Sequence, residues 1–508
     1  MMPVDGMSDA IPASLWRRLL SRRVPTGALL QVAIGWLACD TLLLCRFIGL
    51  DAPWVVASWL ILAAALLRLL ALPPSRSDPT VATLLCCVGV AFILMLLGGQ
   101  GRFFYANIDW QVRDAVLRDM WANPWPFIYA SGNMLRAPLG MYLFPATIGK
   151  AYGQAGADLA LLAQNSALLG LILAIGSSVF EDRRSRLVAL ATLLLFGGLD
   201  VVGQLIAGNL RAISPTAHLE GWGPTQFSST ITLAFWVPQH AIAGWLAAVG
   251  YMLWKTGRLR LGALLALPPL LASWSPLPCI GMIPFVAYAV WRDLAVRRIG
   301  AADMAAPVIA AAIALPSLAY MSAAGDRVGM RIYEMRPEFF LLFAAIELVP
   351  FIAMAVGGWR GRFGGPTLAI TTSTLIVLPW LQIGSSTDLA MRGSIPALTI
   401  LACHLSEALS GGWAASLRRK AALLLLLAIS GVTGVTEVLR ALTYPVSPPP
   451  RCDVASAWDV TFSAFPKDSY LAPYDRIPAL IRPAAPASAA YTGSGPCFDR
   501  DWARPPFF

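Results

Sequence analysis

The sequence predicts an all-α polytopic membrane protein with about 13 transmembrane helices. Three observations predict it. First, the 508-residue chain is 57% hydrophobic and 13% charged, against about a quarter charged in soluble domains. Second, its apolar runs are continuous and rich in Leu and Ala, and many approach the roughly 20 residues that cross a bilayer as helix. A membrane barrel would instead show alternating strands of about ten residues. Third, Lys and Arg gather in the short connections between runs, as they do in cytoplasmic loops. Those connections account for the net charge of +10, so it asks for no nucleic-acid partner.

Taken in order, the first span (27–47) follows the basic "WRRLLSRR". No cleavable signal precedes it, because the apolar run starts only after about 25 residues and lacks a cleavage site. Spans at 53–72 and 80–98 flank the inner loop "RLLALPPSRSDPT". An outer loop at 99–157 leads to spans at 158–180 and 187–207, joined by "EDRRSR". Spans at 230–254 and 260–273 flank "KTGRLR", and the tight Pro-rich turn "SWSPLPC" leads to 276–291. "WRDLAVRR" then precedes 304–322, "WRGRF" separates 338–357 from 367–384, and "SLRRK" separates 395–412 from 420–441. All these basic loops fall on one side if "PLGMYLFPATIGKAY" (138–152) does not cross. That segment is short and holds a proline, so it is expected to lie at the outer surface. The amino terminus is then cytoplasmic and the carboxyl terminus periplasmic, in a bacterial-type inner membrane. Residues 1–441 form the transmembrane domain and 442–508 a small extracytoplasmic tail. Cys452 and Cys497 stand alone in that tail, where a disulfide suits an oxidising compartment.

The outer loop holds "NIDWQVRDAVLRDMW". At about 100° per residue, Gln111, Asp114 and Arg118 share one side of a helix. Ile108, Val112, Ala115, Val116 and Met120 share the other. Asp109 and Arg113 fall inside that apolar arc, one turn apart. A helix lying along the membrane surface with one wet face would thus aim two charges the other way. Two simpler accounts are an N-cap role for Asp109 and an i,i+4 pair with Arg113.

The order of elements is an early span, an outer loop with an acidic residue on an amphipathic helix, a Pro-containing surface helix, "GKAYG", and a returning span. Over roughly residues 80 to 207 this resembles the amino-terminal module of the GT-C membrane glycosyltransferases. The resemblance implies a GT-C-like fold with outer juxtamembrane helices. It also implies a catalytic acidic residue in the first outer loop. Asp109 matches that position best and Asp114 second. It further implies a polyprenyl-phosphate-linked sugar as donor and a glycan, lipid or protein as acceptor, reached among membrane lipids. The loop has no D-D or D-x-D pair, so no cofactor is required by a motif and a divalent metal stays open.

Three further outer connections carry candidate binding residues. The connection at 208–229 and the span after it hold His218, Glu220 and His240, with Pro238 set to kink the helix. Kinked backbone at membrane depth lines cavities, and ionisable groups there are candidates for function. His218 and Glu220 make only two metal ligands. The connection at 323–337 adds Arg327, Arg331 and Arg336, against the positive-inside trend. The connection at 385–394 places Asp388 and Arg392 at a helix start, with Ser385, Ser386 and Thr387 as candidate caps. This arrangement suits a phosphate. The expectation is a glycosyltransferase at the outer face of the membrane. A transporter or flippase, for which Glu347 in "FAAIELVPF" is the main feature, and a polysaccharide polymerase or ligase are the alternatives. There is no nucleotide-binding loop and no HExxH, GxSxG or CxxC motif.

Overall fold

The computed structural model describes residues 13–209, 214–384, 386–411, 416–490 and 496–503. Helices dominate. A short basic helix α1 (Ala13–Ser21) precedes α2 (Thr26–Phe47), α3 (Pro53–Leu69) and α4 (Val81–Leu97). Next come α5 (Trp110–Ala122) and the 38-residue α6 (Gly140–Ser177). Then α7 (Arg183–Leu195), α8 (Asp200–Ile206), α9 (Thr230–Trp236) and α10 (Pro238–Lys255) follow. The chain continues through α11 (Leu261–Leu271), α12 (Pro276–Gly281), α13 (Ile283–Ala295) and α14 (Ala301–Ser322). The last group is α15 (Pro337–Glu347), α16 (Val349–Val356), α17 (Gly365–Val377), α18 (Asp388–Gly393), α19 (Ile395–Ser410), α20 (Leu417–Thr443) and, beyond it, α21 (Val454–Thr461).

The chain is an all-α membrane protein, but the expected count of about 13 spans is corrected. Among the described residues six helices are long and apolar enough to cross a membrane, or seven if the bent pair α15–α16 is one span. Proline explains part of the shortfall, because it ends helices that hydropathy alone joins. The run at 230–254 breaks at Val237, before Pro238, into α9 and α10. The run at 276–291 splits ahead of Pro284. The run at 367–384 stops as helix at Val377, and Pro379 turns it into a short strand. Apolar helices α3 and α4 have 17 residues each and α11 has 11.

Helix α6 is the central element, packed against α2, α4, α5 and α10. It breaks at Gly153, whose φ of 67° is open to glycine and strained for other residues. Its first 13 residues are thus a separate piece ahead of the long helix, in keeping with a segment at 138–152 distinct from the span that follows.

The strands come as three short pairs. β1 (Phe127–Ile128) pairs in parallel with β6 (Ala487–Ser488), and β2 (Asn133–Leu135) pairs antiparallel with β5 (Leu471–Pro473). β3 (Met330–Ile332) pairs antiparallel with β4 (Leu381–Ile383). The first two pairs stitch the tail to the loop after α5, and the third joins the connection at 323–337 to the end of the run at 367–384.

Candidate functional site

Every one of these connections contributes to a single cavity of about 710 Å³. Asp109 and Arg113 come from the start of α5, and His218 from the loop before α9. His240 stands at the first turn of α10, just past the break at Val237. Arg331 comes from β3, and Asp388 and Arg392 from α18. With Arg327, just before β3, and Ser386, the structure thus brings together nine of the residues singled out in the sequence.

Asp109 is the residue before the first turn of α5, and its side chain caps no backbone N–H. Its carboxylate instead pairs with Arg113 Nη1 at 3.1 Å. Of the two simpler accounts, the N-cap is therefore set aside and the i,i+4 pair stands. Arg113 Nε donates to Gln239 Oε1 at 3.4 Å, and His240 Nδ1 shares a 2.6 Å hydrogen bond with Ser275 Oγ. The Arg113 side chain is only 4% exposed, whereas Asp109 is 18% exposed and faces the cavity. Arg392 lies within electrostatic reach of both Asp109 and Arg113.

Arg392 pairs with Asp388, while its buried Nε has no hydrogen-bond partner among the described residues. Asp388 opens α18, where the sequence predicts a helix start. α18 has six residues, Arg392 sits in its last turn, and Thr387 caps nothing with its side chain. Ser385 lies outside the described residues. Position comes from close backbone packing. A Cβ on Gly281 of α12 would lie 1.8 Å from the Gly393 carbonyl oxygen, so α12 and α18 touch through bare backbone.

Asp114 is not on a wet face. Ten of the 13 residues of α5 are buried, including Gln111, Asp114 and Asp119. The helix is wrapped by α6 on one side and α21 on the other, so the single wet face expected of a surface helix does not exist. Asp114 pairs with Arg102 at 3.1 Å, and Arg102 also holds Asp158 at 2.7 Å. Burial pushes the Asp114 carboxyl up to about 7 against the pull of Arg102. The group lies outside the cavity walls and its contacts are those of a scaffold.

Glu220 also stays off the cavity wall. Its carboxylate accepts Ser229 N at 2.8 Å and Gln226 Nε2 at 2.5 Å, and burial raises its pKa. Its neighbour in sequence, His218, bonds instead to Glu437 Oε1 at 2.8 Å. Among the described residues no group of three or more His, Cys, Asp or Glu is placed to hold a metal. Arg336 is exposed and pairs with Glu338 at 3.2 Å, away from the cavity.

Sequence reasoning missed two parts of the wall. Arg136 stands just after β2 and donates to the Asp468 carbonyl at 2.7 Å. It lies in the connection expected to be outer (99–157), so the same departure from the positive-inside trend that marked Arg331 could have marked it. The tail supplies Trp458, Phe462, Phe465 and Tyr470. Trp458 and Phe462 pack edge to face at 5.1 Å, one helical turn apart. That i,i+4 aromatic pair was the available signal. Thr461 Oγ1 donates to Gln111 at 2.6 Å, and Asp119 accepts Val454 N at 2.9 Å, so α21 docks directly on α5. A disulfide between Cys452 and Cys497 closes the tail.

The cavity thus joins three carboxylate–arginine pairs, Asp109–Arg113, Asp388–Arg392 and Asp468–Arg327, with Arg136, Arg331 and an aromatic wall, beside the first turn of α10. Comparison with protein-family profiles, with curated proteins and with solved structures found no match for this chain.

Proposed function

We propose that this protein is a membrane glycosyltransferase that moves a sugar from a polyprenyl-phosphate donor to an acceptor hydroxyl at the outer face of the membrane. The observation that carries the reading is the convergence of Asp109 with Arg113, Arg136, Arg327, Arg331 and Arg392 on one cavity. An anionic substrate answers the arginines, since guanidinium groups bind phosphate through paired charge-assisted hydrogen bonds. Three of these arginines are already paired, Arg113 with Asp109, Arg392 with Asp388 and Arg327 with Asp468, and Asp109 is the carboxylate given a further role in this reading. It serves as a proton acceptor, and the acceptor hydroxyl must lose a proton as the new glycosidic bond forms. In this reading Asp109 takes that proton, and Arg392, with its unpartnered Nε, holds the departing phosphate. The aromatic wall of the tail offers flat apolar faces to a sugar ring. A lipid-anchored donor also accounts for an arginine-bearing chamber with a largely apolar lining set on membrane helices.

A transporter is the second reading. The bent pair α15–α16, with a 50° turn and Glu347 at its break, favours it. Broken spans with ionisable groups are common at transport sites. Glu347, however, accepts Trp222 Nε1 at 3.0 Å and Leu199 N at 3.1 Å, and does not line the cavity.

The experiment is incubation of the purified protein with a panel of polyprenyl-phosphate sugars and candidate acceptors. Transfer without an ion gradient supports the enzyme. Gradient-dependent uptake in vesicles, with no transfer, overturns it in favour of transport.

A further inference from the structure

A second cavity, of about 680 Å³, opens farther along α6 and α10. Helix α10 carries His240 in the first cavity and Val249 in the second. Trp245 is the α10 residue of the second cavity nearest His240, five residues on and about 7.5 Å along the axis. Helix α6 begins two residues after Pro138 of the first cavity and ends at Gly176 and Ser177 in this second space.

The two chambers differ in chemistry. The interior of the second is apolar, walled by Cys87 on α4, Ile172 on α6, Leu190 and Leu193 on α7, and Trp245 on α10. Its mouth is basic, with Arg17, Arg23, Arg183 and Arg186 at the rim. Two of these are already engaged. Arg23 bonds the carbonyls of Arg76 and Asp78, and Arg186 bonds those of Phe180 and Ser77. Arg17 and Arg183 are exposed and have no carboxylate partner among the described residues. Glu181, the acidic residue at the rim, is paired with Arg362 at 3.6 Å.

Helix α1 completes the mouth. Arg17 and Arg18 lie on one arc of it, and Trp16, Leu19 and Leu20 on another. Trp16 and Leu19 are each 48% exposed. A short helix with arginines on one face and Trp and Leu on the other is the form that lies in a membrane interface. It packs against α4, beside the opening. An interfacial helix, a basic rim with spare charge and a dry interior define a ligand with an anionic head and a hydrocarbon body.

We propose that this second cavity binds an anionic phospholipid, with its phosphate at Arg17 and Arg183 and an acyl chain between α4, α6 and α7. The site does not depend on the glycosyltransferase reading. It lies among the basic loops, which attract the anionic lipids of the leaflet they face.

The test uses the full-length protein in detergent, with retained lipid read by native mass spectrometry. Phosphatidylglycerol should be retained in clear preference to phosphatidylcholine. Arg17→Gln with Arg183→Gln should weaken phosphatidylglycerol by about 10- to 30-fold. Arg17→Lys with Arg183→Lys should keep most of it. Leu190→Trp leaves both charges and fills the interior, so it should also lose the lipid. A phosphatidylglycerol bearing a photoreactive acyl terminus should label peptides of α4, α6 or α7. Equal retention of phosphatidylcholine, labelling elsewhere, or full retention by the Gln pair overturns the proposal. Displacement of the lipid by millimolar inorganic phosphate would make this a free-anion site instead. Tighter retention of a polyprenyl monophosphate would make it a carrier-lipid site, and either result refutes the phospholipid.

Discussion

At Asp109 one carboxylate has two duties, and substitution separates them. It neutralises the buried Arg113 and, in the proposed reaction, it accepts a proton. Asp109→Asn ends both, while Asp109→Glu keeps the charge. Asn should lower kcat by about 100-fold or more, the range a general base contributes. Glu should recover stability fully and activity only in part. Transfer assays beside thermal unfolding check this; near wild-type turnover in Asp109→Asn refutes the role. Arg392 is read by donor binding. Arg392→Ala should weaken it more than Arg392→Lys, which keeps the charge and loses the planar fork. Equal donor affinity in wild type and Arg392→Ala would remove Arg392 from the site. Asp119 carries a pH prediction. Burial holds its carboxyl up at about 7, despite hydrogen bonds from Val454 N and Tyr129 Oη. An unfolded aspartate titrates near about 3.9, so folding binds a proton in the interval. This stabilisation is complete below the unfolded value and is lost as pH rises through about 7. The unfolding temperature should therefore fall between pH 5 and pH 8, and fall less in Asp119→Asn; equal slopes would exclude Asp119 as the titrating group. Asp109 was legible in the sequence because it broke the apolar arc of its helix. Asp114 was misplaced because that argument assumes one side in water, and α5 has protein on both.

Elements tell a similar story. Apolar runs marked where helices lie, because burial and lipid both demand continuous hydrophobicity. They did not mark where helices stop, which depends on Val237 before Pro238, on Pro284, and on the turn at Pro379. The tail was harder to read. Its strands β5 and β6 are two or three residues long and pair with partners more than 300 positions earlier, a distance at which no local pattern survives. One element contact is sharp enough to test. Gly281→Ala would drive a methyl group into the Gly393 carbonyl and push α18 off α12. Donor affinity should drop by at least tenfold, with unfolding temperature less affected than by a core truncation. Unchanged affinity would show that α18 does not position Arg392. The disulfide closes a span of 45 residues, for which the loop-closure relation gives about 4 kcal/mol. Cys452→Ser with Cys497→Ser should expose the tail to limited proteolysis while the membrane helices resist; an unaltered digestion pattern would mean that β2–β5 and α21 suffice.

For the whole molecule, orientation is the open quantity that the proposed function constrains most. Reporter fusions at Asp182 and after Tyr444 should report opposite sides, with Asp182 cytoplasmic. The same side for both, or Asp182 outside, would move the arginine-rich cavity away from the face where a lipid-linked donor is proposed to be used. The sequence supplied the membrane class and most of the polar residues that meet in the cavity. It could not supply their convergence, because that is set by how α6, α10, α12 and α18 pack.

The docking of α21 and β5 on the loop after α5 has a consequence in time. The aromatic wall is encoded after every long helix, and Val454 meets Asp119 across 335 positions of chain. A ribosome therefore threads the arginines and Asp109 into place well before it makes Trp458 or Tyr470. Until those last residues emerge and settle, the chamber is a basin without a roof. The order of synthesis lays down the Asp109–Arg113 pair first and the aromatic wall last, so a chain cut before Trp458 would carry the charges without that wall.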